Sequence, residues 1–129
     1  MKIANVVLND FTRDNRVLKT SIALVEAGHE VTVVALHRNQ LPRVEHHPAG
    51  FRIERVRIYI PGFRVLAPFK WAELVLRIAW VYRKADAWHC NDAEAFGIGL
   101  LAKWLRSSLK LVYDCHEFES ERNGKPAWL

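Results

Sequence analysis

Short apolar runs alternate along this chain with longer stretches whose apolar residues recur at helical spacing, and this alternation constrains the fold most. The runs are almost continuously apolar, which is typical of strands buried on both faces in a parallel sheet. The predicted strands are residues 3–8, 31–36, 51–60, 85–90 and 109–113. The predicted helices are residues 15–27, 68–84 and 92–106. This order predicts an α/β fold, a Rossmann-like parallel sheet with helices on both faces.

Capping and turn residues support these boundaries. Asp14 can cap the first helix, and Gly28 is a natural helix stop. Residues 37–50 contain two prolines and are predicted to form a loop. Residues 51–60 alternate arginine or glutamate with apolar residues, as expected of an edge strand with one solvent-exposed face.

We predict the sheet order 3-2-1-4-5, counting strands along the chain. Residues 51–60 then form one edge and residues 109–113 the other. An uncovered edge strand invites pairing with another chain, so a homodimer is expected as one way to cover it.

The composition is typical of one globular domain with a hydrophobic core, since the 129 residues are 50% hydrophobic. The formal charge of +5 favours anionic partners without choosing among them. Two cysteines in a chain of this length do not make a disulfide framework. No signal peptide and no spanning apolar run is recognised, so a cytoplasmic location is expected.

The usual phosphate-binding and metal-binding motifs are missing. No GxGxxG follows the first strand, and no GxxxxGK[ST] occurs. His89 and Cys90 are adjacent in a strand and therefore point to opposite faces, so a shared metal is not expected. His89 is expected to be a packed histidine. We predict no metal and no cofactor in this domain.

Polar residues gather where the predicted strands end. In open parallel sheets, ligands bind outside the carboxyl ends of the strands. We therefore expect a substrate site at that edge, and among its polar residues we select Asp10, Asn91, Asp92, His116 and Glu117.

His116 follows its strand directly and lies beside a carboxylate, so we predict that it is the catalytic residue. It handles a proton or orients the acceptor hydroxyl. The alternative is a histidine that merely bonds a loop carbonyl. Asp10, Asn91, Asp92 and Glu117 are predicted to bind substrate. Asn91 with Glu94 also resembles a capping box, a role compatible with binding.

Two further residues, Arg13 and Arg16, flank the start of the first helix. Cations there oppose the helix dipole, and a bound anion would remove the conflict. We include both arginines in the substrate-binding set; the alternative is that they are simply solvated.

The helix predicted at residues 68–84 is mostly apolar, with a narrow polar stripe and several aromatic residues. Residues 51–84 also carry eight of the chain's lysines and arginines against two glutamates. Such a helix is either buried against the sheet or lies in the interface of an acidic membrane. Exposure of Trp71 and Trp80 would favour the membrane.

Three segments together resemble the glycosyltransferases of family 4. The first helix followed by GHEVTV at residues 28–33 resembles the opening of that family. The later segments are ADAWHCND at residues 85–92 and LVYDCHE at residues 111–117. The resemblance covers nearly the whole chain. Where the family pattern has a second histidine, this sequence has Asn91, which cannot accept a proton at neutral pH.

The resemblance implies the N-terminal, acceptor-side half of a metal-independent, retaining enzyme with the GT-B arrangement of two Rossmann-like domains. The resemblance implies that residues 1–129 are this domain in a truncated form, which would be inactive alone. The nucleotide-sugar donor is expected in a missing C-terminal domain. The acceptor is expected to be a glycan or lipid-linked molecule, with the enzyme peripheral on the inner face of the membrane.

Two other interpretations of the function remain open. A free-standing Rossmann-like module could bind an anionic ligand or a protein partner without catalysis, and the length of the reading frame would separate it from the enzyme. Nucleic-acid binding through the arginine-rich strand is a weaker reading, because no recognition helix or stacking motif accompanies it. We expect no nucleic acid partner.

Overall fold

The computed structural model describes residues 1–12, 14–38, 40–57 and 67–114. The strands in this part of the chain are β1 Lys2–Val6, β2 Glu30–Leu36, β3 Val44–His46, β4 Arg52–Val56, β5 Ala87–Cys90 and β6 Lys110–Tyr113. The helices are α1 Asn15–Glu26, α2 Ala67–Tyr82 and α3 Ala93–Leu105. Residues 58–60 of the predicted third strand lie outside the described residues.

These strands form one sheet in the order β3-β4-β2-β1-β5-β6. All pairs are parallel except β3 with β4, which is antiparallel. The five parallel strands follow the predicted order 3-2-1-4-5. The α/β, Rossmann-like fold is therefore confirmed, and β6 lies at the sheet edge predicted for residues 109–113.

At the opposite edge of the sheet, one part of the prediction is wrong. Residues 37–50 are not all loop, because β3 lies within them and covers β4, pairing Val44 with Glu54. A turn joins the two strands, with Gly50 at a φ of 101° and its N–H donating to the carbonyl of His47 at 2.9 Å. All three residues of β3 are exposed, so this strand carries no apolar alternation that would reveal it in the sequence.

The sheet is buried on both faces. On one face, Val17 of α1 packs with Val31, Val33, Phe51 and Ile53. On the other face, α2 and α3 cover a second layer of apolar side chains, which includes Leu74, Ile78, Trp88, Ala95 and Ile98. Because helices cover both faces, the central strands can be nearly continuous in apolar residues.

The predicted limits of α1 are confirmed by hydrogen bonds. Asp14 is the N-cap, and its Oδ1 accepts from the N–H of Val17 at 3.1 Å. At the other end, Gly28 takes a φ of 91°, and the N–H of His29 donates to the carbonyl of Leu24 at 3.1 Å. This is the Schellman pattern, in which glycine supplies the left-handed conformation at no steric cost.

Gly99 allows α3 to approach the sheet closely. A Cβ at this position would lie 2.9 Å from Leu111 Cδ2 and 3.3 Å from both Cys90 Sγ and Trp88 Cε3. A Cβ at Gly97, two residues earlier on the same helix, would meet nothing within 4 Å. The two glycines therefore form a matched pair that differs in packing alone.

We predict that Gly99→Val lowers the free energy of unfolding by about 1–3 kcal/mol through overpacking. Gly97→Val should change it by no more than about 0.5 kcal/mol, because its side chain points into open space. Urea denaturation of both variants measures the difference, in which the helix-propensity contribution cancels. Equal stability of the two variants would contradict the close packing of α3 on β5 and β6.

Candidate functional site

The carboxyl ends of β1 and β5 meet at one edge of the sheet, because the two strands are parallel neighbours with Val6 opposite Cys90. The segments that follow them are linked by two hydrogen bonds. The N–H of Asn91 donates to the carbonyl of Val6 at 3.1 Å, and the N–H of Leu8 donates to Asp92 Oδ2 at 3.2 Å. The structure thus brings Asn91 and Asp92 against the end of β1.

Asp92 begins α3. Its Oδ1 accepts from the N–H of Ala95 at 2.7 Å, and its extended backbone makes it the N-cap. The capping box predicted for Asn91 and Glu94 is therefore wrong, because the N-cap is the residue after Asn91. Glu94 lies in the first turn of α3, where its carboxylate complements the helix dipole. Asp92 uses one oxygen for the helix and the other for the backbone after β1.

Asn91 cannot cap the helix because its side chain turns into the sheet. It is 8% exposed, and its Nδ2 donates to Asn5 Oδ1 at 2.6 Å and to the carbonyl of Val6 at 2.9 Å. A carbonyl only accepts, so these contacts fix which end of the amide is Nδ2. Asn91 Oδ1 is buried without a hydrogen-bond partner among the residues described.

Asn5 is the centre of this buried polar network. It is fully buried on β1, and its Nδ2 donates to Ser21 Oγ on α1 at 2.9 Å. Its Oδ1 lies 3.2 Å from His89 Nδ1 as well as 2.6 Å from Asn91 Nδ2. The network therefore ties three elements together: β1, α1 and the end of β5.

His89 and Cys90 face opposite sides of the sheet, as predicted. His89 joins the Asn5 network, and its Nε2 lies 3.8 Å from Asp114 Oδ2. Cys90 is buried in the apolar layer under α2 and α3, and burial raises the pKa of its thiol to about 12. A thiol with that pKa stays protonated at neutral pH and is a poor nucleophile or metal ligand.

A polar cavity of about 450 Å³ opens beside the start of α1. Its lining comprises Asn9, Asp10, Thr12, Asp14, Asn15 and Arg16. The loop that forms it is ordered by its own side chains. Asn9 Nδ2 donates to Asp14 Oδ2 at 3.1 Å, and Thr12 Oγ1 donates to Asp10 Oδ1 at 2.8 Å. Carboxylates, amides and a guanidinium facing one cavity are suited to a ligand rich in hydroxyl groups or carrying an anion.

The predicted site residues therefore fall into two places. Asp10 and Arg16 share the cavity beside α1, whereas Asn91 and Asp92 lie at the β1–β5 junction. Arg13, His116 and Glu117 lie outside the described residues, so their roles stay predictions. In the described ranges, no group of three histidine, cysteine or acidic residues is placed to hold a metal ion.

Arg55 explains the slip in the alternation of the third predicted strand. Its side chain is buried, and its Nε donates to the carbonyl of Asp10 at 2.9 Å. Its Nη1 donates at 2.9 Å to both the carbonyl of Pro42 and the carboxylate of Glu45. Arg55 thus fastens the loop after β1 to the edge of the sheet and helps to shape the cavity.

Sequence reasoning did not select Asn5, Ser21 or Arg55. Two signals were present. Asn5 interrupts an otherwise apolar run, and a polar residue at a buried position demands a hydrogen-bond partner. Arg55 falls where the alternation places an inward-facing residue. Neither signal identifies the hydrogen-bond partner, because each partner is distant in the sequence.

The fold defines a Rossmann-like domain, and its polar strand ends form a candidate ligand site at the carboxyl edge of the sheet. The model of Glycosyltransferase Family 4 matches residues 15–129. The chain belongs to this glycosyltransferase family. No curated protein matches the sequence.

Among solved structures, the chain is similar to the C-terminal domain of a hydrogenase from Pyrococcus furiosus. The TM-score is 0.53 at 14% identity, covering 88% of this chain and 90% of that one. Identity this low supports the fold alone.

The Asn5 network gives a stability prediction. Asn5→Leu leaves Ser21 Oγ and one contact of Asn91 unpaired in the interior, which should lower the free energy of unfolding by about 1–3 kcal/mol. Asn15→Leu, the same change at an exposed position, should stay within about 0.5 kcal/mol. Chemical denaturation measures both.

A double-mutant cycle with Ser21→Ala then isolates the Asn5–Ser21 pair, whose coupling energy should be about 0.5 kcal/mol or more. Strict additivity would contradict a hydrogen bond between these two side chains.

Proposed function

We propose that residues 1–129 form the acceptor-side domain of a retaining glycosyltransferase with the GT-B arrangement. The enzyme transfers a hexosyl group from a nucleotide-sugar to a hydroxyl of a glycan or lipid-linked acceptor. The nucleotide-sugar binds to a second Rossmann-like domain. The observation that carries the proposal is the family match together with the polar cavity and strand ends at one sheet edge.

In this proposal, Asp10 accepts hydrogen bonds from acceptor hydroxyls in the cavity beside α1. Arg13 and Arg16 bind anionic groups near the positive end of the helix dipole. Asn91 and Asp92 shape the floor of the site from the end of β5. His116 exchanges a proton with the acceptor hydroxyl or orients it, and Glu117 binds beside it.

The roles of His116 and Asn91 can be separated in the complete enzyme. His116→Ala should reduce turnover by roughly 100-fold or more, the effect expected of a general acid–base group. His46→Ala, at an exposed position on β3, is the matched control and should remain within a few-fold of wild type. Steady-state kinetics on folded protein measure both.

Asn91→Ala also removes the 2.6 Å hydrogen bond to Asn5 Oδ1, so its effect on folding must be separated from its effect on turnover. Turnover is therefore compared per folded molecule. If His116→Ala stays within a few-fold of wild type while folded Asn91→Ala is inactive, the proposed roles are reversed.

We also propose that the enzyme is peripheral on the cytoplasmic face of an acidic membrane. Only part of α2 is buried; its outer side exposes Phe69 by 62%, Leu76 by 62% and Trp80 by 59%. Trp71 is 47% exposed near the start of the helix, on a different side. The guanidinium of Arg83 lies 3.6 Å from the centre of the Trp80 ring. Large apolar side chains beside cations are typical of helices that lie in a membrane interface. In the described residues, no helix is long and apolar enough to span a bilayer.

The membrane proposal predicts sedimentation with anionic vesicles and little with neutral ones. Binding should weaken as salt is raised, because exposed charges are screened. Trp71→Ala with Trp80→Ala should weaken binding further by removing the apolar contact. Equal binding to both vesicle types, or to neither, would exclude an acidic membrane as the partner.

A further inference from the structure

A second groove lies between the β3–β4 edge and the C-terminal half of α2. Its volume is about 360 Å³, far more than the roughly 30 Å³ that one water molecule occupies. Its lining combines three valines, Val44, Val56 and Val81, with four arginines, Arg43, Arg55, Arg57 and Arg77. Val56 also packs into the apolar layer on the α2 side of the sheet. The groove is therefore separate from the cavity beside α1.

The carboxylate that lines this groove is already engaged. Glu54 Oε1 accepts from Arg52 Nη2 at 3.0 Å, and Glu54 Oε2 accepts from the Tyr82 hydroxyl at 2.7 Å. Burial, with the hydrogen bond to Glu54, raises the pKa of Tyr82 well above its usual value, so the hydroxyl remains a neutral donor. Both carboxylate oxygens of Glu54 are therefore already engaged, one by Arg52 and the other by Tyr82.

The four arginines differ in what already holds them. Arg55 is buried and donates to the carbonyls of Asp10 and Pro42 and to the carboxylate of Glu45. Arg77 Nη2 is held by Glu73 Oε1 at 2.9 Å, which fixes its guanidinium on α2. Arg43 and Arg57 are exposed on the opposite wall. Within the part of the chain that the structure describes, Arg43 forms no ion pair with a carboxylate. Guanidinium groups are the preferred protein ligands for phosphate because their planar donors match its oxygens.

We propose that this groove binds the phosphate group of an anionic phospholipid. The apolar surface beside it favours a lipid over a free anion, since Val44 and Val81 in the groove and Leu76 and Trp80 on α2 are all exposed. A lipid can place its phosphate among the arginines and its acyl region against these side chains. The inference rests on the membrane contact proposed above and adds a discrete headgroup site to it.

The test compares two double variants of the complete protein that each remove two positive charges. Arg43→Gln with Arg57→Gln changes the groove, whereas Lys19→Gln with Lys110→Gln changes exposed positions on α1 and β6. Binding is measured with phosphatidylcholine vesicles that contain phosphatidic acid. The groove variant should bind about tenfold or more weakly, as expected for two lost cation contacts, and the control within about twofold. Equal losses would show diffuse attraction and overturn the site.

Tyr82→Phe probes the same groove without removing a positive charge. It releases Glu54 Oε2, so the carboxylate should compete for the arginines and weaken vesicle binding several-fold. Unchanged binding by folded Tyr82→Phe would contradict the role assigned to Glu54.

Inorganic phosphate distinguishes the two sources of the anion. Its binding is followed by the methyl resonances of Val44 and Val81, with chloride at equal ionic strength as control. A lipid site is supported if phosphate causes only weak shifts of these methyl resonances while vesicle binding is strong and depends on Arg43 and Arg57. Saturation by millimolar phosphate, together with vesicle binding that is absent or insensitive to the groove variant, overturns the lipid assignment. Absence of all vesicle binding by wild type would also reject the broader membrane proposal.

Discussion

Burial of β1 on both faces is the constraint on which the rest of the structure depends. This strand pairs with β2 on one side and β5 on the other, and helices cover both faces of the sheet. A polar side chain on such a strand must find its partner inside the protein, because no water reaches it. Asn5 meets this demand through Ser21 and Asn91, and in doing so it fixes α1 and the segment after β5 relative to the central strand.

The candidate site is thus held by buried polar contacts as much as by apolar packing. Arg55 joins the loop after β1 to the edge strands, and Asp92 joins that loop to α3. Hydrogen bonds are directional, so they specify where a loop lies more narrowly than apolar contact does. A candidate site supported in this way is preorganised, because buried hydrogen bonds fix the residues around it before any ligand arrives.

The two faces of the sheet carry different surfaces. The polar cavity lies beside α1, whereas the exposed aromatic side chains and the arginine-lined groove lie on the α2 side. Membership in Glycosyltransferase Family 4 assigns the domain to sugar transfer.

The sequence by itself determined the α/β class, the order of the five parallel strands and the limits of α1. These features depend on local periodicity, on a capping side chain such as Asp14, and on a left-handed glycine such as Gly28. Only the tertiary structure decided that β3 covers the sheet edge, that Asp92 rather than Asn91 caps α3, and that Trp71 and Trp80 are exposed. The physical reason is distance along the chain: Asn91 bonds Asn5 and Arg55 bonds the carbonyl of Asp10, and a periodic pattern carries no information about such partners.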